Sequence, residues 1–246
     1  MELFILRHEY ISRKSVYIKR NYSIKGRGYL GTKRWIFMQL KEIMEKYYNG
    51  FSITPDFYHH WNIGIHLELG NDIYQFDDNN RLNMEMFHTV YKQLSAIVPV
   101  LFKKTDDVLV VINSYPHGTN NVAYPNFFKR YVKEQKLKYS LHLHEFQWQF
   151  DEENLFVQQM TLFCKVLDLK LEHLLKTLIH EDFHPLQPRL RKTHCLYAPD
   201  IFLINVNTKC IFHLYDDRGC EIINADKKLH DKLLETFSGW ELQEKS

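Results

Sequence analysis

The stretch HEDFH, residues 180 to 184, has the residue types and spacing of a zinc-hydrolase motif: two histidines four apart share a helix face, and the intervening glutamate polarises water. That geometry requires the helix to run through both histidines. Pro185 follows His184 at once, and the residue before a proline is pushed out of the helical region, so the pattern reads as a helix end with His180 and His184 at its negative pole. The third ligand of the extended motif is also missing, because His194 lies ten residues past His184 where six are needed. His180 and His184 stand as weak metal candidates. A second cluster, His142, His144 and Glu145, puts both imidazoles on one face of a strand but has no matching pair elsewhere, and a solvated face is expected there.

FHLYDDRGCEII, residues 212 to 223, sets two aspartates and an arginine between apolar runs. Aspartates at the first turn positions and a glycine where a positive φ would be needed predict a two- or three-residue hairpin loop with a glycine bulge. Tyr215 is then expected opposite Cys220, and Tyr215, Asp216, Asp217 and Arg218 become candidates for contact with a partner or ligand. The polar run NSYPHGTNN follows an apolar strand and is expected to be a loop at the strand end, where ligands commonly bind; Asn113, Tyr115 and His117 are its candidates. Arg189 and Arg191, in a segment punctuated by prolines, can offer anion-binding forks. Neither GxGxxG nor a P-loop occurs, and no cofactor is expected.

These residues need a scaffold, and hydrophobic periodicity supplies its outline. Ile36, Leu40, Ile43 and Tyr47 recur at helical spacing up to Asn49-Gly50. WNIGIHLELG alternates, with Ile63, Ile65, Leu67 and Leu69 on one face. Met84 to Leu101 forms a helical stripe that Pro99 is expected to bend or end. VLVVI, residues 108 to 112, reads as a strand buried on both faces, and Pro125 opens a short helix. A hairpin is expected from 139–150 and 155–167, a helix over Leu171 to Ile179, strands at 201–206, 210–215 and 220–224, and a last helix over Leu229 to Phe237. Crossovers mixed with adjacent hairpins predict an α+β fold, a single domain whose mixed, largely antiparallel sheet is packed by helices.

Composition bounds the rest. The chain has 246 residues, 45% of them hydrophobic, and a formal net charge of +2. Residues 1 to 34 hold nine Lys/Arg against Glu2 and Glu9, leaving 23 of the 32 basic and 28 of the 30 acidic residues to the remainder. Residues 1–35 are therefore set apart as a basic N-terminal extension, expected to be poorly ordered or to precede a start at Met38 rather than Met1, and residues 36–246 as one domain. No apolar run approaches the ~18 residues of a membrane span or makes a signal-peptide core, so a cytoplasmic protein without membrane contact is expected. Cys164, Cys195, Cys210 and Cys220 form no CxxC pair and are expected to be reduced.

GIHLELG, DDVLVVINSY, FFKRY, DFHPLQPRLR and above all INVNTKCIFHLYDDRGCEII, in that order, resemble the bacterial domain-of-unknown-function family 3885, found mainly in Gram-positive bacteria. The resemblance spans roughly residues 55 to 242, excludes the basic leader and implies no established activity. By analogy with small bacterial immunity and antitoxin proteins, the expected role is a non-enzymatic protein-binding module with an unknown protein partner, a toxin among the choices. The alternatives are a hydrolase or small-ligand enzyme, which requires the Asn113 loop, Arg189/Arg191 and the DDRG turn to converge on one cleft, and nucleic-acid contact through the basic leader, the less favoured of the two.

Overall fold

A computed structural model describes residues 20–22, 40–116, 125–150, 153–190, 195–240 and 242–244. His117 and Arg191 lie outside them, as does most of the basic leader.

Strands β1 (Arg20–Tyr22), β2 (Gly64–Glu68), β3 (Asp107–Pro116), β4 (His142–Phe150), β5 (Glu153–Lys165), β6 (Cys195–Asn205), β7 (Cys210–Leu214), β8 (Gly219–Asn224) and β9 (Leu242–Glu244) form one sheet in the order β1-β4-β5-β3-β6-β7-β8-β2-β9. Every neighbouring pair is antiparallel. Six α-helices accompany it among the described residues: α1 (Leu40–Tyr47), α2 (Phe57–His60), α3 (Met84–Leu101), α4 (Pro125–Tyr131), α5 (Leu171–Ile179) and α6 (Lys227–Thr236). The fold is α+β, as expected.

Side chains alternate across a strand, so each central strand feeds two cores. On the first face Val108, Val110 and Ile112 of β3 join Leu162, Leu203, Phe212 and Ile222 under α3, α4, α5 and α6. On the second face Leu109 and Val111 join Phe202, Ile204, Ile211 and Ile223 under α1 and α2, with Ile43, Met44, Tyr48, Phe57 and Tyr58. Both cores explain why VLVVI is continuously apolar. The side chains of Asn83 and Asp226 accept from the second residue of α3 and α6, satisfying N–H groups that the helices leave open. Pro99 is held inside the last turn of α3, which continues to Leu101, because so near the end it removes only one hydrogen bond.

Two expectations fail. The run after VLVVI does not leave the sheet: Asn113, Ser114 and Tyr115 continue β3 and are buried. Their polar side chains are tolerated because each has a partner, Asn113 Nδ2 donating to the Ile53 carbonyl and Ser114 Oγ to the Gln158 carbonyl. The DDRG turn is also longer than predicted. Leu214, not Tyr215, faces Cys220, and Cys210 faces Asn224, leaving Tyr215 to Arg218 between the two strands. Gly219 belongs to β8 opposite Glu68, and its lack of a side chain serves contact rather than a positive φ: an added Cβ would stand 2.1 Å from Tyr215 Oη and 3.0 Å from the Leu67 carbonyl.

Candidate functional site

β3 and β7 run parallel to one another on either side of β6, so Tyr115 and the DDRG turn emerge at the same end of the sheet. At this end a polar row crosses the second face. Register pairs His144 with Gln159, Gln159 with Asn113 and Asn113 with Asp200; beyond a two-residue step along β6 it pairs His213 with Glu221 and Glu221 with His66. Alternation makes such a row possible, and burial makes it costly unless the groups satisfy one another.

His213 is its centre. Its Nδ1 lies 3.1 Å from Glu221 Oε2 and its Nε2 lies 3.8 Å from Asp200 Oδ1, the second an ion-pair rather than a hydrogen-bond distance. The ring stacks on Phe202 at 4.2 Å and is 2% exposed. Burial alone lowers its pKa, but the Asp200 and Glu221 carboxylates on its two sides, Glu221 within hydrogen-bond reach, outweigh it and lift the imidazole to about 9. Tyr115 donates to Asp200 Oδ2, so the buried tyrosine steadies the carboxylate from the other side. Pro199, which has no N–H to give the ladder, accompanies the bulge between the Asn113/Asp200 and Tyr115/Tyr197 pairs that brings Asp200 and Tyr115 together.

The DDRG turn is tied internally and to its neighbour. Asp216 accepts from the Arg218 backbone N–H at 2.8 Å and from Arg218 Nε at 3.0 Å, and pairs with Nη2. Asp217 accepts from Gln75 Nε2 at 2.9 Å, fastening the 71–77 segment to the turn. Burial, with the Asp216 charge added, pushes Asp217 up to about 6. The Tyr215 hydroxyl lies 3.2 Å from His66 Nε2, and burial, reinforced by Asp216, keeps it protonated. Between turn and segment lies a cleft of about 310 Å³ lined by His66, Glu68, Asp72, Tyr74, Tyr215 and Arg218, with Met86 beneath.

The HEDFH segment is something else. Helix α5 stops at Ile179, so His180 and His184 do not share a helix face. His180 hydrogen-bonds Tyr91, and burial lowers its pKa. Glu181 Oε2 accepts from the Leu190 N–H at 2.7 Å, while Arg189 donates through Nε and Nη2 to the Glu181 carbonyl and through Nη1 to His184 Nδ1. Arg189 is thus a clamp on its own loop rather than an open fork. Its loop touches the 71–77 segment through Phe183 and Phe76, 6.1 Å apart, and so reaches the DDRG turn only indirectly. No group of three His, Cys, Asp or Glu suited to a metal occurs among the described residues.

Of the sequence candidates, Tyr115 and Tyr215 meet the polar row, Asp216, Asp217 and Arg218 form the turn beside the cleft, and Asn113 is a buried strut. His213, Asp200, Glu221, His66 and Tyr74 were not singled out. A signal for two of them existed: His213 and Glu221 interrupt the apolar strands CIFHL and GCEIIN, and a charge inside such a strand demands a partner.

Residues 40–244 match the family model described as Domain of unknown function (DUF3885). The chain belongs to the DUF3885 family. Among DUF3885 relatives, the "Uncharacterized protein YnaE" of Bacillus subtilis (strain 168) is 36% identical over 211 residues, which cover 82% of this chain and 97% of that protein. No solved structure matches the chain. The matched DUF3885 region contains the polar row, the DDRG turn and its cleft, and no helix among its described residues is long and apolar enough to cross a membrane.

Proposed function

We propose that this chain is a non-enzymatic protein-binding module whose contact face is the rim of the cleft between the DDRG turn and the 71–77 segment. Tyr74 carries the reading. It is 70% exposed, the most exposed large apolar side chain among the described residues, and it stands on the same cleft as Arg218, whose side chain is 46% exposed yet held by Asp216. Tyrosine and arginine dominate interface hot spots, and side chains already held in place lose less entropy on binding. The immunity- or antitoxin-like role, with a toxin as partner, rests on family-level analogy. Affinity capture from a lysate of a bacterium carrying the gene tests the reading: one stoichiometric protein retained by the wild type and lost from a folded Tyr74→Ala/Arg218→Ala variant is expected, and equal capture by both forms refutes it.

A small-ligand enzyme at the same cleft is the second reading, favoured by the His66 and Tyr215 pair in its wall. It requires a turnover that His66→Ala abolishes while protein capture persists.

A further inference from the structure

We propose that a second cleft, between α1 and strands β4 and β5, binds a small, uncharged, planar nitrogen heterocycle of nucleobase size. The inference is independent of the Tyr74 and Arg218 rim. The cleft measures about 540 Å³, within the range of small-molecule sites. His142 and His144, expected on a solvated face, line it: His142 is exposed and His144 partly buried.

The walls and the floor differ in chemistry. Met44, Phe51, Ile53 and Phe146 give apolar walls. Two of them are flat: Phe51, 42% exposed at the mouth, and Phe146, whose ring stacks with His144 at 5.6 Å and 24°. Flat walls favour a flat ligand. The floor is polar, since His142 faces Thr161 and His144 faces Gln159 across the β4/β5 ladder.

Hydrogen bonding on that floor is incomplete. Asn113 Nδ2 donates to the Ile53 carbonyl, so its Oδ1 faces Gln159 and accepts from Gln159 Nε2 at 2.8 Å. Gln159 Nε2 also reaches the Ile53 carbonyl at 3.3 Å. This fixes the amide plane of a side chain only 4% exposed and leaves Gln159 Oε1 with no donor among the described residues. The Thr161 hydroxyl, on a residue 7% exposed, likewise has no hydrogen-bond partner among the described residues, and the exposed His142 ring stands opposite it on the β4/β5 ladder. A floor that offers one acceptor and two groups that can donate or accept suits a flat ring carrying both N–H groups and ring nitrogens or carbonyls on its rim. The Lys or Arg and Asp or Glu side chains on this cleft are Lys41 and Glu45, paired with each other at 3.5 Å on the exposed side of α1, so no fixed charge of that kind awaits a counter-ion.

Isothermal titration calorimetry of the full chain with adenine, guanine, hypoxanthine, cytosine and uracil tests the proposal, with cyclohexanol as a non-planar control. Saturable one-to-one binding of at least one base is expected, weakened more than tenfold by Gln159→Leu, about threefold or more by Thr161→Val, and not at all by Tyr74→Ala. Thr161→Val keeps the Gln159 anchor and guards against a Gln159→Leu chain that does not fold. Failure of all five bases to bind at millimolar concentration, or binding that survives Thr161→Val unchanged, overturns the proposal.

Discussion

At His213, burial and flanking carboxylates pull in opposite directions, and the carboxylates win. A histidine whose folded pKa is raised from 6.5 to about 9 contributes stability that is complete below about pH 6.5 and is lost as pH climbs through about 9. Urea unfolding of the wild type should therefore give a midpoint that falls between pH 7 and pH 9.5, and His213→Gln should remove that part of the decline. At pH 7 the substitution leaves Asp200 and Glu221 facing each other without a cation, so a loss of about 3–5 kcal/mol is expected; a loss below ~1 kcal/mol would show that the cluster is solvated rather than buried. Gly219 is constrained by contact instead of charge. Gly219→Ala must displace Tyr215 or the β2 backbone, and thermal unfolding should register a cost of about 1–3 kcal/mol. His213 leaves a trace in the sequence as a polar interruption of an apolar strand, whereas residue identity alone does not announce the effect at Gly219. The sequence makes Gly219 look like a turn glycine, and what it meets is a tyrosine four positions earlier folded back over it.

On the scale of elements, alternation and helical spacing locate most helices and strands because the central strands and the helices that cover them each have a face in a core. The errors sit where polar residues are buried. Asn113 reads as a loop residue because polar side chains usually mark the surface, but β3 continues through it with Gln159 and the Ile53 carbonyl supplying partners. The DDRG turn reads as tighter than it is because β2, pairing with β8, fixes the register from outside the hairpin. That turn carries its own test. Burial raises Asp217 to about 6, so its ionised form destabilises the fold above that pH, and the penalty is relieved as pH falls through about 6 towards 4. Asp217→Asn keeps an acceptor for Gln75 Nε2 and removes the charge beside Asp216. Its denaturation midpoint at pH 7.5 should exceed that of the wild type, with the gap closing by pH 4.5; a lower midpoint would mean that the carboxylate is held by a contact that its amide cannot replace.

For the molecule as a whole, one antiparallel sheet with helices on both faces separates two ends of different character. The end where β3 and β7 finish carries the DDRG turn, Tyr74 and Arg218. The opposite end, where β3 begins, exposes Val100 and Leu167, each 45% accessible. Sequence alone brought the DDRG turn forward, whereas Tyr74 emerged only when the fold placed the 71–77 segment beside it, because proximity across 140 residues has no local signature. Protein binding at this end is tested by calorimetry with the captured partner, comparing wild type, Tyr74→Ala/Arg218→Ala, and Val100→Ser/Leu167→Ser at the far end. The rim variant should bind at least about 30-fold more weakly, as loss of about 2 kcal/mol of hot-spot contact implies, with the far-end variant unchanged. Affinity that survives in the rim variant, or that falls only in the far-end variant, contradicts the account.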